Sequence, residues 1–332
     1  MKHSIKDENE ILEQFAQTVE KIKGELKKKI IGQQNIINDL IAGFLTGGHC
    51  LIIGVPGLAK TMLVQSLAKC LDLDFNRIQF TPDLMPSDIT GSEILFEDRS
   101  TGGRSLKFVH GPIFSNIVLA DEINRTPPKT QSALLQAMQE QEITSSGKTY
   151  PLPKPFWVLA TQNPIEQEGT YPLPEAQQDR FMFSVLIDYP DFESELQIVR
   201  STTSVSEKEI EPVVSLDEIQ KFKNLVWRVP VTDSLVNAAV KLARATRPSS
   251  VECPEKVKKL ITWGAGPRAS QNLILASKAY ALIDNRPSPD ISDLKKASYP
   301  VLRHRIVRSF HAEVDSVGTD DIIKIIINEI LK

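Results

Sequence analysis

Residues 54–61 read Gly-Val-Pro-Gly-Leu-Ala-Lys-Thr, which places glycine, lysine and a hydroxyl in the order that a phosphate-binding loop needs. They follow an apolar run, 51–53, and precede a helix-like segment, 62–71. Backbone N–H groups of such a loop point at an anion, and the dipole of the following helix favours negative charge there. Lys60 could reach the terminal phosphates of a nucleoside triphosphate, and the Thr61 hydroxyl could hold Mg²⁺.

The loop departs from the usual pattern at one position. Gly54 stands where the pattern begins, but Ala59 replaces the glycine that normally precedes the lysine. Alanine costs little at helical backbone angles and much more where φ must be positive. A tight strand-to-helix turn that contains a lysine would give the same local sequence, so the rest of the chain has to decide between the two interpretations.

Two carboxylates, Asp121 and Glu122, directly follow the apolar run 117–120. In open α/β sheets ligands bind at the carboxyl ends of the strands, so this pair is expected beside the phosphates. Asp121 would orient Mg²⁺, and Glu122 would polarise the water that attacks the γ-phosphate. A simple helix N-cap before Asn124 would leave the same pattern, but the phosphate loop upstream favours the catalytic interpretation.

Two further polar positions flank later strands. Asn163 follows the apolar run 157–160 and could hydrogen-bond the attacking water or the γ-phosphate without adding charge; an Asx-turn before proline is the alternative, and both can hold at once. Arg180 precedes the next strand and could reach a neighbouring subunit's nucleotide as an arginine finger, which is worth about 10³–10⁵ in rate. A local contact with Asp179 is the alternative and would contribute little.

A third arginine lies in the C-terminal half. The sequence Gly264-Ala-Gly-Pro-Arg268 indicates the start of a helix, with proline near the first turn. Arginine at a helix N-terminus is electrostatically unfavourable, because the dipole prefers anions there. A phosphate bound nearby would resolve the conflict, which makes Arg268 a candidate for sensing nucleotide from a second domain.

Strand-like and helix-like segments alternate through the first part of the chain, which predicts an α/β fold with a three-layer parallel sheet. Strands are predicted over 50–53, 75–80, 116–120, 156–160 and 181–187, and helices over 61–71, 127–141 and 171–179. Two β-hairpins are predicted as insertions near 91–111 and 142–152.

After residue 190 the strand signal stops. We therefore divide the chain into an N-terminal helix, 1–29, an α/β core, 30–190, a linker, 191–212, and an all-α domain, 213–332.

Composition narrows the class of protein. A length of 332 residues predicts about two domains, and the net charge of −3 argues against a protein built mainly to grip nucleic acid. The start of the chain lacks the apolar segment of a signal peptide, and no apolar run approaches the roughly 18 residues of a membrane span. Three distant cysteines, Cys50, Cys70 and Cys253, fit no disulfide or metal framework and indicate reduced thiols in a cytoplasmic protein.

The ordered set of motifs resembles the AAA+ ATPases, and within them the MoxR family. The resemblance spans about residues 20–310 and includes Ala59, which is the MoxR form of the loop. It is carried by Ile31-Gly-Gln33, Gly54-Val-Pro-Gly-Leu-Ala-Lys-Thr61, Gly111-Pro-Ile-Phe114, Asp121-Glu-Ile-Asn-Arg125, Ala160-Thr-Gln-Asn-Pro164, Glu175-Ala-Gln-Gln-Asp-Arg-Phe181 and Gly264-Ala-Gly-Pro-Arg268. It implies a P-loop NTPase core of the AAA+ type, followed by a C-terminal all-α lid.

The resemblance also implies ATP or ADP with Mg²⁺ as ligands and gives each position a role. Ile31 and Gly32 match the positions that line the adenine, and Thr61 and Asp121 match the Mg²⁺ positions. Glu122 matches the residue that activates water, Asn163 the first sensor, Arg180 the arginine finger and Arg268 the second sensor. The loop positions are Gly54, Val55, Pro56, Gly57, Leu58, Ala59, Lys60, Thr61 and Met62. The hairpins match the family's insertions.

Members of this family are similar in function to chaperones, tend to form hexameric rings and act with partners that carry von Willebrand factor A domains, in enzyme maturation or in metal or cofactor insertion. The sequence thus predicts an ATP-driven machine that remodels protein clients. One alternative is a nucleic-acid motor or loader that uses the basic segments 27–29 and 303–308. Another is a regulatory switch that hydrolyses slowly and only signals its nucleotide state to a partner.

Overall fold

A computed structural model describes residues 5–97, 103–165, 169–203 and 209–331. The strands are β1 (Cys50–Gly54), β2 (Phe75–Gln79), β3 (Gly91–Glu97), β4 (Arg104–His110), β5 (Ile117–Asp121), β6 (Glu142–Ser145), β7 (Lys148–Pro151), β8 (Trp157–Gln162), β9 (Phe183–Ile187), β10 (Ile261–Trp263) and β11 (Val307–Arg308). The α-helices are α1 (Ile5–Leu26), α2 (Gln34–Thr46), α3 (Lys60–Cys70), α4 (Pro86–Thr90), α5 (Pro128–Glu140), α6 (Glu175–Gln178), α7 (Phe192–Thr202), α8 (Leu216–Arg228), α9 (Asp233–Ala245), α10 (Glu255–Lys258), α11 (Pro267–Ile283), α12 (Ile291–Leu302), α13 (Phe310–Val314) and α14 (Thr319–Ile330).

Five parallel strands form the central sheet, as the apolar runs predict, and the structure shows their order to be β2-β5-β8-β1-β9. Because all five run in one direction, their carboxyl ends share one edge of the sheet and their amino ends share the opposite edge. Gln79 is in register with Asp121 at the carboxyl edge, and Cys50 is in register with Phe183 at the amino edge. The two edges position different parts of the site.

Alternation along the strands divides the buried side chains between the two faces of the sheet. Cys50 and Ile52 belong to a large apolar cluster that also contains residues of α1, α2, α3 and the C-terminal helices. Leu51 belongs to a second cluster with residues of α5, such as Leu134. This arrangement gives the three-layer α/β core, and the C-terminal helices join it through a continuous apolar cluster.

Both inserted hairpins are present. β3 pairs with β4, and β6 pairs with β7, each antiparallel; the predicted tip of the first hairpin, 98–102, lies outside the described residues. Ser146 Oγ donates to Glu93 Oε2 over 2.8 Å, and the rings of Phe108 and Tyr150 stack with centroids 4.3 Å apart. The two hairpins therefore contact each other on the same side of the core.

Two sequence predictions were wrong in detail. The helix predicted over 171–179 is a single turn, α6, because Pro172 and Pro174 disfavour helical angles in the residues that precede them. The region predicted as all-α contains a short antiparallel pair, β10 with β11, whose residues Ile261 and Trp263 belong to types enriched in strands. In the described part of the chain, no helix is both long and apolar enough to cross a membrane.

Candidate nucleotide-binding and hydrolysis site

The glycine-bearing loop connects the carboxyl end of β1 to the first turn of α3. Ala59 has φ 54° and ψ 23°, so the residue that replaces the expected glycine adopts the left-handed region. This is the costly alternative of the two that the sequence left open, and an alanine there stores about 1–2 kcal/mol of strain. Gly57 also has a positive φ of 86°, and its missing Cβ leaves open space. The loop backbone thus has positive φ angles at Gly57 and Ala59, which α-helices and β-strands do not have.

An anion fits the N-terminus of α3. The helix has no acidic residue in its first turn, and no side chain among the described residues caps it. Its first N–H groups are of the kind that a phosphate satisfies in other proteins. Lys60 Nζ donates to the carbonyl oxygen of Gly54, so the lysine folds back over the loop. The Thr61 side chain lies in the same first turn.

Asp121 ends β5 at the carboxyl edge of the sheet and is buried. Its Oδ2 accepts from Arg77 Nε and Nη2 over 2.9 and 2.6 Å, and its Oδ1 accepts from Thr161 Oγ1 over 2.5 Å. Arg77 lies on the neighbouring strand β2, and Thr161 lies on β8. A carboxylate with both oxygens fixed by neighbouring strands is oriented in advance, and carboxylate oxygens are suitable ligands for Mg²⁺.

Glu122 follows Asp121 at φ 58°, also in the left-handed region. Its Oε2 accepts from Gln79 Nε2 over 2.7 Å and lies 3.3 Å from Arg125 Nη1, while its N–H donates to Thr161 Oγ1 over 2.8 Å. Residues other than glycine that have a strained backbone are often found at functional sites. Ala59 and Glu122 are two such residues here. Glu122 is therefore a carboxylate at the open edge of the sheet, held by a neutral amide on β2.

Asn163 lies one residue beyond β8, the strand that pairs with β5, and is buried. Its Oδ1 accepts from Ile165 N over 3.2 Å, which is the Asx-turn that the sequence offered as the alternative role. The turn uses the oxygen and leaves the amide nitrogen to be aimed elsewhere. Because β8 and β5 are parallel and adjacent, Asn163 shares the carboxyl edge with Asp121 and Glu122.

The proposed adenine positions lie near the end of β9. Gly32 has φ 76°, and a Cβ built on it would lie 2.5 Å from Ser194 Oγ in the first turn of α7. A Cβ built on Gly54 would lie 2.6 Å from the carbonyl oxygen of Ile187, the last residue of β9. The segment that contains Ile31 and Gly32 and the phosphate loop thus both lie close to the same turn between β9 and α7.

The two arginines lie at the other edge of the sheet. Arg180 is three residues before β9, and its Nη1 donates to the carbonyl oxygen of Leu135 over 2.9 Å. Arg180, Arg268 and Asp179 line a cleft of about 270 Å³ beside the start of β1. A five-residue strand separates that edge from the phosphate loop by about 13 Å. Arg180 therefore faces away from the nucleotide position of its own chain.

Arg268 belongs to the same cleft. Pro267 and Arg268 begin α11 as the sequence predicts, and Arg268 Nη1 donates to Asp179 Oδ2 over 3.3 Å. The anion that offsets the unfavourable charge at this helix N-terminus is thus Asp179, where the sequence suggested a phosphate. The interpretation of Arg268 as a sensor of nucleotide from the second domain stays a prediction; the structure places Arg268 beside Arg180, at the edge opposite the phosphate loop of its own chain.

The turn 303–305, the main part of one basic segment that favoured a nucleic-acid partner, is largely internal, whereas Lys27 and Arg308 are exposed. Arg305 has a side chain only 1% exposed, and His304 is also buried. Arg303 forms a bidentate salt bridge with Asp320, in which Nε and Nη2 donate to the two carboxylate oxygens over 2.7 and 2.8 Å. A phosphate backbone needs exposed cations, so these residues do not form a nucleic-acid surface.

Sequence reasoning missed three residues of the site: Arg77, Gln79 and Thr161. Arg77 and Gln79 lie two apart on β2, so their side chains point to the same face and meet Asp121 at the end of β5 and Glu122 directly after it. The spacing of the two polar residues was visible in the sequence. Nothing local showed that β2 lies next to β5, because that neighbour relation is set by the sheet order.

A parallel sheet that carries a phosphate loop after one strand and an acidic pair after another is the arrangement of a P-loop NTPase. Comparison with family models agrees: the model described as "ATPase family associated with various cellular activities (AAA)" matches residues 49–183, and the AAA lid domain matches 255–326. These matches cover the strand-and-loop core and most of the C-terminal helices.

Curated relatives extend the match over nearly the whole chain. The chain is 39% identical to the chaperone MoxR1 of Mycobacterium tuberculosis, over 95% of this chain and 81% of that protein. It is 40% identical to the uncharacterised protein YeaC of Bacillus subtilis, over 92% of each. A crystal structure of a candidate ATPase from Cytophaga hutchinsonii matches with a TM-score of 0.90 and 43% identity, over 98% of both chains. The chain belongs to the MoxR family of AAA+ ATPases.

Proposed function

We propose that this chain forms a ring, most simply a hexamer, which hydrolyses ATP with Mg²⁺ to remodel or mature protein clients. The observation that carries the proposal is the division of the site between two edges of one sheet. Lys60, Asp121 and Glu122 lie at the carboxyl edge, and Arg180 lies at the amino edge. Such a division is expected of a head-to-tail ring, in which each copy supplies an arginine to the next.

The residues of the carboxyl edge have distinct proposed tasks. The phosphate loop and the first turn of α3 bind the phosphates, and Lys60 turns from the Gly54 carbonyl toward them. Mg²⁺ held by Thr61 and Asp121 would neutralise charge that develops on the phosphate oxygens. Glu122 accepts a proton from the attacking water, and Asn163 orients that water through its amide. Thr161 keeps Asp121 and Glu122 in a fixed relation through its two hydrogen bonds.

Arg180 completes the site of the neighbouring copy in this proposal. Its guanidinium is bonded to a backbone carbonyl of its own α5, so it can be redirected without leaving a carboxylate unpaired. Arg268 lies beside it and is half exposed, which supports a shared role in trans. The second-sensor role that the family resemblance implies is kept, but for the neighbour's nucleotide.

The client surface is proposed to include the two hairpins. The first hairpin exposes several large apolar side chains, among them Ile94, Leu95, Phe96 and Leu106. Exposed apolar groups in such number are typical of binding surfaces. The resemblance suggests partners with von Willebrand factor A domains and a part in enzyme maturation or in metal or cofactor insertion. The curated relative named as a chaperone supports the remodelling part of this proposal.

The remaining parts of the proposal concern organisation and location. Residues 30–190 would act as the nucleotide-binding core, 213–332 as the lid, 191–212 as the linker between them and 1–29 as the helix that packs behind the core. A cytoplasmic location is proposed from the three cysteines, which are buried and free. A nucleic-acid partner is not proposed, because Arg303 and Arg305 are paired inside the chain.

A trapping experiment tests the remodelling function. Glu122→Gln retains the shape of the side chain and removes the base, so it should hold ATP and a client together. Affinity capture with this variant in ATP should enrich a defined set of proteins that is absent in ADP. The slow-switch alternative predicts that wild-type protein, with negligible turnover, captures the same partners in a non-hydrolysable ATP analogue and releases them in ADP. Capture that is identical in ATP and ADP would contradict both versions.

A further inference from the structure

Arg305 is a buried guanidinium in the 3-10 turn that follows α12. It donates to Asp179 Oδ1 over 2.7 Å and to the backbone carbonyl oxygens of Asp179, Phe181 and Met182 over 3.1, 2.6 and 3.1 Å. A further bond to the Val301 carbonyl ties it back to α12. One side chain of the lid thus binds three of the four backbone carbonyl oxygens of the segment 179–182 and one carboxylate oxygen of Asp179.

That segment contains Arg180 and leads directly into β9. The bonds of Arg305 fix the backbone on both sides of Arg180, at Asp179 and at Phe181. His304 Nε2 lies 3.0 Å from the same Phe181 carbonyl, and both side chains come from one turn. The direction in which Arg180 leaves the core is therefore set by the lid.

Asp179 links the buried Arg305 to Arg268, one of the two arginines that line the cleft. Its Oδ1 accepts from the buried Arg305, and its Oδ2 faces the half-exposed Arg268. Two guanidinium groups share this one carboxylate, and Arg180 lines the same cleft, so the cleft carries a surplus of positive charge. Because Arg305 has several backbone partners, it orients Asp179, and Asp179 in turn orients Arg268. An anion that arrives in the cleft competes with Asp179 for Arg268 alone.

We propose that Arg305 is a positioning residue for the Arg180 and Arg268 pair, through which the lid presents both arginines to the nucleotide of a neighbouring copy. The proposal rests on the proposed function, in which Arg180 acts in trans. Arg305 does not touch the nucleotide of either copy in this arrangement. Its loss should lower turnover by the neighbouring site and leave ATP binding in its own chain unchanged.

A purely structural role for Arg305 makes a different forecast. A variant that simply loosens the fold would bind ATP less well at its own phosphate loop, and no other copy could restore its activity. A displaced finger leaves the variant's own catalytic site intact, so a neighbour with a normal finger restores hydrolysis there. Mixing of two inactive variants separates the two roles.

The test uses Arg305→Met and Arg303→Met, two equal truncations in one turn. Arg303 bonds to Asp320 and to the Ser184 carbonyl and, within the described structure, makes no hydrogen bond to 179–182, so it controls for loss of an arginine from the lid. Arg305→Met should reduce steady-state ATPase turnover at least tenfold and change KM for ATP by less than about twofold, since finger contacts act in the transition state. Arg303→Met should retain most turnover.

Mixing each variant one to one with Glu122→Gln supplies the decisive readout. In random rings about a quarter of interfaces pair an intact catalytic site with an intact finger, so about a quarter of wild-type turnover should return. Arg180→Ala mixed with Glu122→Gln is the reference. Restoration with Arg180→Ala but not with Arg305→Met would overturn the positioning role only. Failure of both mixtures would overturn the trans function and this proposal with it.

A second variant covers the case in which Arg305→Met does not fold. Asp179→Asn retains the size of the side chain and a carbonyl oxygen for Arg305, but it lacks the charge that holds Arg268. It should show the same fall in turnover with unchanged KM, and the same restoration on mixing. Wild-type turnover in Asp179→Asn would contradict the proposed chain from Arg305 through Asp179 to Arg268.

Discussion

Gln79 Nε2 donates to Glu122 Oε2 over 2.7 Å, so the strand next to β5 holds the carboxylate that is proposed to activate water. Glu122 leaves the core at a positive φ, and its other ion-pair partner, Arg125, is 3.3 Å away. The amide of Gln79 thus sets where the carboxylate points before a client or a neighbour is engaged. Through this contact β2, which carries no proposed catalytic residue, contributes to the site.

Truncation of Gln79 should remove its hydrogen bond to Glu122 and free the Glu122 carboxylate. A hydrogen bond to a charged group is worth about 1.5–3 kcal/mol, and at this partly exposed position about 1 kcal/mol is expected. Gln79→Ala should therefore raise basal ATPase turnover about fivefold, because Glu122 can then reach the water more often. Asn76→Ala on the same strand is the control, since Asn76 bonds to Ser115 and Pro112. A fall of Gln79→Ala activity to the level of Glu122→Gln would show that the contact instead belongs to the active arrangement.

The strained loop makes a prediction about stability. Ala59→Gly relieves a left-handed φ, worth about 1–2 kcal/mol, but adds unfolded-state freedom worth about 0.4–1 kcal/mol. The free energy of unfolding in urea should stay constant or rise by about 1 kcal/mol. The control Ala238→Gly, inside α9, should lower it by about 0.5–1 kcal/mol. Equal losses in both variants would mean that the conformation of Ala59 carries no strain.

The apolar strands were predictable because parallel strands buried on both faces need continuous apolar runs, and β5 and β8 have them. The phosphate loop and the acidic pair follow from the same signal, since each directly follows such a run. β2 gave a weaker signal: Asn76 and Arg77 are exposed on an edge strand. Its role depends on lying next to β5, which no local pattern encodes.

The position of Arg268 in the fold could not be predicted from the sequence, for a related reason. The sequence showed that it starts a helix, and the structure agrees. The position of that helix depends on contacts between residues more than 80 positions apart. Examples are the ion pair between Arg268 and Asp179 and the hydrogen bond from Arg305 to the Phe181 carbonyl, just before β9. Long-range packing of this kind decides which edge of the sheet the lid serves.

His49 should make stability depend on pH. It is buried at the start of β1, its Nδ1 accepts from Val158 N over 2.9 Å, and its Nε2 lies 3.2 Å from the Met138 carbonyl oxygen. Burial lowers the pKa of His49 to about 4 from its usual 6.5, and nearby Lys223 acts in the same direction. Between these values the unfolded chain binds more protons than the folded one. Stability is therefore fully present above about pH 6.5 and is lost as pH falls toward 4.

The size of this effect is about 3 kcal/mol for His49, since one pKa unit corresponds to about 1.4 kcal/mol. His304, whose pKa burial also lowers, adds to the slope in the same direction. The free energy of unfolding, measured with urea at several pH values between 7 and 4, should fall less steeply with falling pH for His49→Asn than for wild type. Replacing the exposed His311 by asparagine should leave the slope as it is. Equal slopes in wild type and His49→Asn would rule out a buried neutral imidazole at this position.

The most direct measurement is single-turnover ATP hydrolysis by wild type, Glu122→Gln and the control Glu140→Gln, with ATP affinity measured in parallel. Glu140 is an exposed carboxylate at the end of α5, away from the acidic pair. Glu122→Gln should bind ATP within about twofold of wild type and hydrolyse it at least tenfold more slowly, a difference of about 1.4 kcal/mol or more in the barrier. Glu140→Gln should match wild type. Hydrolysis by Glu122→Gln at the wild-type rate would contradict the assignment of the carboxyl edge as the catalytic site.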